Sequence, residues 1–198
     1  MTCRRIVIKA VGGQGNLLIS KILGEAAIKA GISVQMNEVH GMAQRGGVVE
    51  TDVLLGDILS STISDGEADV LLALEPLEAA RAVGKCNKDT LIISSTTSIV
   101  PSTVATGGAA YPDSEALLNS IKLNVKELIT IDAGTLAKQA GSGMAANMVM
   151  LGALVRKGDL PFSADIVKQT IQERVKESFR EINLRAFDLG YNAAAGIG

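Results

Sequence analysis

A short apolar run that breaks into a glycine-rich turn near the N-terminus constrains the fold of this chain most strongly. Residues 5–11 have the composition of a buried strand, residues 12–15 contain three glycines, and residues 16–31 follow with helical spacing. A first strand passes into a first helix in this way in open α/β domains. The free backbone N–H groups and the positive dipole end of that helix would form an anion site.

The rest of the chain alternates between strand-like and helix-like segments, and it ends in a helical pair. We predict an α/β fold: a Rossmann-like open, mostly parallel sheet with helices on both faces and a C-terminal helical extension. Residues 1–198 are expected to form one domain, with the helices of about 143–190 packed on it. Residues 32–37 are expected to form the second strand, and residues 48–55 are expected to be antiparallel. The two closing helices should present apolar faces that include Met144 to Val155 and Ile166 to Ala186, with Ser163 as the N-cap of the second helix.

Composition excludes several classes of function. The net charge of −2, the pI of about 5.5 and the absence of Trp argue against a nucleic-acid-binding protein. The longest apolar segment, residues 144–155, is shorter than the roughly 20 residues of a membrane span, so a cytoplasmic protein is expected. Cys3 and Cys86 form no C-x-x-C pair and the chain has a single histidine, so no metal site is predicted.

The glycine turn partly matches the dinucleotide-binding fingerprint. Gly12 and Gly15 occupy the second and third glycine positions, whereas Ala10 stands at the first, and Glu38 follows where a ribose-binding acid belongs. A turn that only packs a strand against a helix and meets a partner chain explains the same residues. Both interpretations stay open at this point.

A second polar segment spans residues 40–47. Arg45 could bind a carboxylate or phosphate beside Gln44, whereas His40 lacks an orienting partner, and no catalytic residue is predicted. Glu75 and Glu78 are interpreted as carboxylates at a helix start. The candidates for cofactor binding or subunit contact are Gly12, Gly13, Gln14, Gly15, Asn16, Glu38, His40, Gly41, Met42, Gln44, Arg45, Gly46 and Gly47.

Three ordered motifs, residues 11–15, 38–47 and 66–78, resemble the gamma subunit or gamma domain of 2-oxoacid:ferredoxin oxidoreductases. The sequence of residues 41–47 is most similar to that of the beta subunit of indolepyruvate:ferredoxin oxidoreductase. The closing segments 147–154 and 183–191 resemble the family as well. Ala10 and Leu55 depart from the residues that the family commonly carries, glycine and arginine.

The resemblance implies a subunit of an enzyme that decarboxylates a 2-oxoacid, such as indolepyruvate or pyruvate, oxidatively to an acyl-CoA. Thiamine diphosphate, iron–sulfur clusters and coenzyme A are then expected in the holoenzyme, none of them bound by this chain alone. The implied partners are the thiamine-diphosphate- and iron–sulfur-bearing subunit and, through the complex, ferredoxin. The chain would be inactive alone, and a homodimer of the isolated chain is left open, as are the substrate and stoichiometry. A stand-alone nucleotide-binding module and an assembly scaffold are the alternatives.

Overall fold

The computed structural model describes residues 3–40, 47–57, 60–100 and 110–197. Those ranges contain six strands and seven α-helices. The strands are β1 (Arg4–Val11), β2 (Val34–His40), β3 (Val48–Leu55), β4 (Val70–Ala73), β5 (Leu91–Ser95) and β6 (Glu127–Ile131). The helices are α1 (Asn16–Lys29), α2 (Pro76–Arg81), α3 (Ser114–Lys122), α4 (Ala133–Ala140), α5 (Ala146–Lys157), α6 (Ala164–Arg174) and α7 (Glu177–Ala195).

The six strands form one sheet in the order β2-β3-β1-β4-β5-β6. Strands β1, β4, β5 and β6 pair in parallel, whereas β3 is antiparallel to both of its neighbours, β1 and β2. This arrangement confirms the predicted α/β fold, including the antiparallel direction of residues 48–55. The carboxyl ends of β1, β4, β5 and β6 lie at one edge of the sheet, where ligands bind in open α/β folds.

Two apolar cores cover the two faces of the sheet. Along β1, Ile6 and Ile8 belong to the larger core and Val7 to the smaller one, because successive strand residues point to opposite faces. Helix α1 and the C-terminal helices pack in the larger core, and α2 and α3 pack in the smaller one. None of the helices within the described ranges is long and apolar enough to cross a membrane.

The C-terminal helices differ from the prediction in two ways. The apolar residues from Ile166 to Ala186 lie on two helices, because Val175 has an extended backbone (φ −86°, ψ 137°) between α6 and α7. Met144 lies in a short 3₁₀ turn before α5 and is 92 % exposed, so it is not part of the apolar face. The predicted N-cap is confirmed, since the Ser163 hydroxyl accepts a hydrogen bond from the N–H of Ile166.

The second strand also differs from the prediction, which placed it at residues 32–37. Ile32 instead takes part in the C-terminal cap that follows α1, because its N–H donates to the carbonyl of Ala27 (2.9 Å). The strand then continues to His40, in register with β3 from Val34 opposite Leu55 onwards. Pairing with β3 therefore extends the strand beyond Asn37 through Glu38, Val39 and His40.

Helices α5 and α7 approach each other closely at two glycines. A Cβ atom added at Gly190 would overlap the carbonyl of Val149, and one added at Gly152 would overlap the carbonyl of Phe187. Both glycines thus let one helix backbone lie directly against the other. This contact anchors the C-terminal helix on the larger core.

Replacement of Gly190 by alanine should destabilise the protein by roughly 2 kcal/mol or more, because the added methyl group forces the two helix backbones apart. Helix propensity alone would instead favour alanine by about 1 kcal/mol. Gly84→Ala is the control, since no atom lies within 4 Å of its added Cβ. Urea unfolding of both variants measures the difference, and equal midpoints would contradict the close-packing explanation.

A cluster of charged side chains lies between the sheet and α2. The ammonium group of Lys9 on β1 forms an ion pair with Glu50 on β3. Asp52, two residues further along β3, is buried; its Oδ2 accepts the N–H of Ile63 (2.9 Å), whereas Oδ1 has no hydrogen-bond partner within the described part of the chain. Burial raises the pKa of Asp52, and burial likewise raises the pKa of Glu78 on α2.

The raised pKa of Asp52 has a defined consequence for stability. The folded state holds this proton more tightly than the unfolded state, so the stabilisation is complete below the ordinary pKa of 3.8 and is lost as the pH rises through the folded pKa. Asp52→Asn, which keeps an oxygen for the N–H of Ile63, should reduce the fall in unfolding free energy above pH 3.8. Urea unfolding at a series of pH values tests this, and the exposed Asp89→Asn is the control. Parallel pH profiles for wild type and Asp52→Asn would show the prediction to be wrong.

Candidate functional site

The glycine turn connects the end of β1 to the start of α1 at the ligand edge of the sheet. Gly13 (φ 102°) and Gly15 (φ 87°) both adopt left-handed conformations that favour glycine. Gly15 is the N-cap of α1 and offers no side chain to it, and the first turn of the helix carries no acidic residue. The N–H groups of Asn16 and Leu17 therefore have no intrahelical partner, and the positive end of the dipole is not neutralised locally.

The side chain of Gln14 is used inside the fold. Its Oε1 accepts the N–H of Val11 at the end of β1 (2.7 Å), and its Nε2 donates to the carbonyl of Leu74 just after β4 (2.8 Å). One amide thus joins the ends of the two central parallel strands. We assign Gln14, a predicted site residue, to positioning of the turn.

The structure places the end of the second polar segment beside the glycine turn. The N–H of Gly12 donates to the carbonyl of Gly47 (2.7 Å), and His40 is the last residue of β2. Both segments therefore border the same edge of the sheet. The side chain of His40 and the candidate residues Gly41, Met42, Gln44, Arg45 and Gly46 lie outside the described part of the chain.

Glu38 does not lie where a dinucleotide-binding acid would lie. It is inside β2, opposite Thr51 of β3, and not at the end of a strand next to β1. Because β3 is inserted between β1 and β2, two strand spacings, roughly 10 Å, separate Glu38 from β1. The fingerprint-like spacing in the sequence thus does not produce the geometry on which the nucleotide interpretation depends.

Asn16, the first residue of α1, is the most unusual of the predicted residues. It is 4 % exposed, and neither its Oδ1 nor its Nδ2 has a hydrogen-bond partner among the residues that the structure describes. Buried side-chain amides are nearly always hydrogen-bonded, because an unsatisfied polar group in the interior is strongly unfavourable. The helix start therefore keeps both backbone and side-chain polar groups without partners.

A cavity of about 370 Å³ lies between the glycine turn and the start of α4. Its apolar wall includes Leu74, Ile99 and Met150, and its polar groups include Lys138 and Asn147. Leu74 and Ile99 follow β4 and β5, so the cavity opens at the carboxyl ends of the central strands. Cavities in this position of an open α/β sheet are the usual ligand sites.

Asn147, near the start of α5, was not among the predicted site residues. It is 7 % exposed and its Oδ1 accepts the N–H of Met148 (3.0 Å). Its Nδ2 lies so close to Gly15 that a Cβ added there would overlap it. Position 15 needs glycine both for its left-handed backbone conformation and for the close approach of the Asn147 amide. Only the resemblance of the closing segments contained a signal for Asn147.

Glu75 is hydrogen-bonded to Ile99, which lines the cavity. It is buried at the N-cap of α2, where its Oε2 accepts the N–H of Glu78 (3.0 Å), as expected for a carboxylate at a helix start. Its Oε1 accepts the N–H of Ile99 (3.3 Å) and the hydroxyl of Tyr111. Burial and the adjacent Glu75 carboxylate raise the pKa of Tyr111. The position of Glu75 in the sequence predicts the cap but not these links to the segment after β5.

The two cysteines do not fit an iron–sulfur cluster. Both are free, and burial raises the pKa of Cys86 to about 11, so its sulfur is protonated near neutral pH. Within the ranges that the structure describes, no group of three or more His, Cys, Asp or Glu side chains could hold a metal ion.

The chain is similar in sequence to known proteins. The model of the pyruvate ferredoxin/flavodoxin oxidoreductase family matches residues 5–193. The indolepyruvate oxidoreductase subunit IorB of Archaeoglobus fulgidus is 41 % identical over 189 residues, which are 96 % of this chain and 94 % of that protein.

Two solved structures share the fold. The gamma subunit of a keto/oxoacid ferredoxin oxidoreductase from Geobacter sulfurreducens aligns with a TM-score of 0.72 at 24 % identity, over 98 % of this chain and 99 % of that one. The 2-oxoglutarate:ferredoxin oxidoreductase from Magnetococcus marinus aligns with a TM-score of 0.79 at 22 % identity, over 100 % of this chain and 32 % of that one. The family match covers nearly the whole chain, so the chain belongs to the pyruvate ferredoxin/flavodoxin oxidoreductase family.

Proposed function

We propose that this chain is the subunit without a cofactor of its own in a 2-oxoacid:ferredoxin oxidoreductase. The holoenzyme would decarboxylate a 2-oxoacid such as indolepyruvate or pyruvate in the presence of coenzyme A, forming an acyl-CoA and CO₂ and passing two electrons to ferredoxin. Thiamine diphosphate and the iron–sulfur clusters would be held by the partner subunit. The near full-length likeness to an indolepyruvate oxidoreductase subunit supports this assignment.

The observation that carries the proposal is the apolar surface around the glycine turn. Leu17, Met144 and Phe179 are 43 %, 92 % and 53 % exposed. A groove that runs between the turn and α7 is lined by Met144 and Phe179 together with Leu18 and Ile182. Large exposed apolar side chains grouped in this way are typical of a protein–protein contact.

The polar groups of the turn fit the same surface. The N–H groups at the start of α1 that have no intrahelical partner would be completed by polar groups at the contact. Gln14 holds the turn on the strand ends, and Glu75 holds the wall of the neighbouring cavity. In this proposal the chain helps to position and shield the interior that it shares with the partner subunit. The oxidation takes place on the partner's cofactors.

Reconstitution tests the proposal. The chain alone should show no 2-oxoacid-dependent reduction of a viologen dye, and the activity should appear when the thiamine-diphosphate- and iron–sulfur-bearing subunit is added. Co-purification of the two chains, with thiamine diphosphate and iron measured in the complex, gives the second readout. Activity from the chain alone would overturn the assignment.

Gly15→Ala tests whether the turn lies at the contact. An alanine at φ 87° is strained and its Cβ would displace the amide of Asn147, so affinity for the partner should fall at least about tenfold, as for a central contact residue. Gly31→Ala is the matched control: it has the same kind of strain (φ 70°) at the other end of α1, with no atom within 4 Å. If both variants assembled equally well, the turn would not be at the contact.

A further inference from the structure

We infer that a second copy of this chain binds at the side of the molecule formed by strand β6 and helix α3. In this contact β6 pairs antiparallel with β6 of the second copy, and the two sheets become one. None of the residues that line the groove on this side lines the cavity beside the glycine turn. The inference goes beyond the proposed function, does not depend on it, and is tested without the thiamine-diphosphate-bearing subunit.

The first argument is the free backbone edge of β6. In the described part of the chain, β6 pairs only with β5, and the carbonyl of Ile131 accepts the N–H of Thr96 on that side (2.9 Å). Because the backbone groups of successive strand residues point to alternate sides, those of Leu128 and Thr130 point away from β5. A two-fold axis at Ile129 sets Leu128 of each copy opposite Thr130 of the other. All the outward N–H and C=O groups of these two residues are then paired.

The second argument is the shape of the surface above this edge. A groove of about 500 Å³ lies between α3 and β6, and Leu118 and Leu128 are its apolar residues. Glu115, Asn119 and Lys122 also line it, and their spacing places them on one face of α3. Helix α3 of the second copy, brought alongside by the pairing of the strands, would cover this groove.

The third argument is the charge of that helix face. Glu115 lies in the first turn of α3 and Lys122 in the last, and neither forms an ion pair within the described ranges. The two-fold axis reverses the direction of α3 in the second copy. Glu115 of each copy then lies opposite Lys122 of the other, so the same face is complementary in charge to itself.

The ends of β6 carry a second pair of opposite charges. Lys126 just before the strand and Asp132 just after it are both exposed, and neither takes part in an ion pair among the residues that the structure describes. Antiparallel pairing centred on Ile129 places Lys126 of each copy opposite Asp132 of the other. A parallel arrangement would instead bring like charges together. The strand and the helix thus favour the same occupant in the same orientation, a second copy related by a two-fold axis.

Sedimentation equilibrium of the isolated full chain tests this inference, and the wild-type chain should be a dimer. Lys122→Glu sets two carboxylates against each other at both symmetry-related contacts, so the dimer dissociation constant should rise at least about tenfold. Glu115→Lys should have the same effect for the opposite reason. The double variant Glu115→Lys/Lys122→Glu should restore dimerisation, because opposite charges meet again.

Lys21→Glu is the matched control, since it makes the same charge change at an exposed position of α1, on the opposite face of the sheet. It should leave the dimer unchanged. A monomeric wild-type chain would overturn the inference. So would a dimer that Lys122→Glu does not weaken, or a double variant that dimerises no better than the single ones. Circular dichroism verifies that each variant is folded.

Discussion

The parallel pairing of β1 with β4 is the contact on which the candidate site depends. It brings the carboxyl ends of the two strands to one edge, where the amide of Gln14 joins the N–H of Val11 to the carbonyl of Leu74. The glycine turn can then leave β1 through left-handed conformations at Gly13 and Gly15 and begin α1 without a side-chain cap. The open helix start and the adjacent cavity both follow from this junction.

Local patterns in the sequence were sufficient for most of the fold. The buried strands are continuous apolar runs, and the first strand, turn and helix are contiguous in the chain, so each could be predicted from neighbouring residues. The polar strand β2 could be placed only approximately, because its extent depends on pairing with β3. The break at Val175 was missed because apolar residues recur with helical spacing on both sides of it.

The candidate site could be predicted only where it is local. The residues of the turn are adjacent in sequence, whereas Lys138 and Asn147 lie far from the turn along the chain and reach the same cavity only because their helices pack at this edge of the sheet. For Gln14, by contrast, the sequence predicted a site residue whose side chain is used within the fold. Its residue type suggested a ligand contact, but both ends of its amide are satisfied by backbone groups. Residue type alone cannot distinguish a group that binds from a group that positions.

The two solved structures show that this fold occurs both as a separate chain and within a longer one. In the Magnetococcus marinus protein the aligned region is 32 % of the chain, whereas the Geobacter sulfurreducens subunit aligns over 99 % of its length. A fold within a longer chain meets its neighbours at a high effective concentration, which a separate subunit lacks. The contact of a separate subunit must therefore supply more binding free energy itself. In the proposed assembly, the exposed apolar side chains of Met144 and Phe179 would supply part of that free energy.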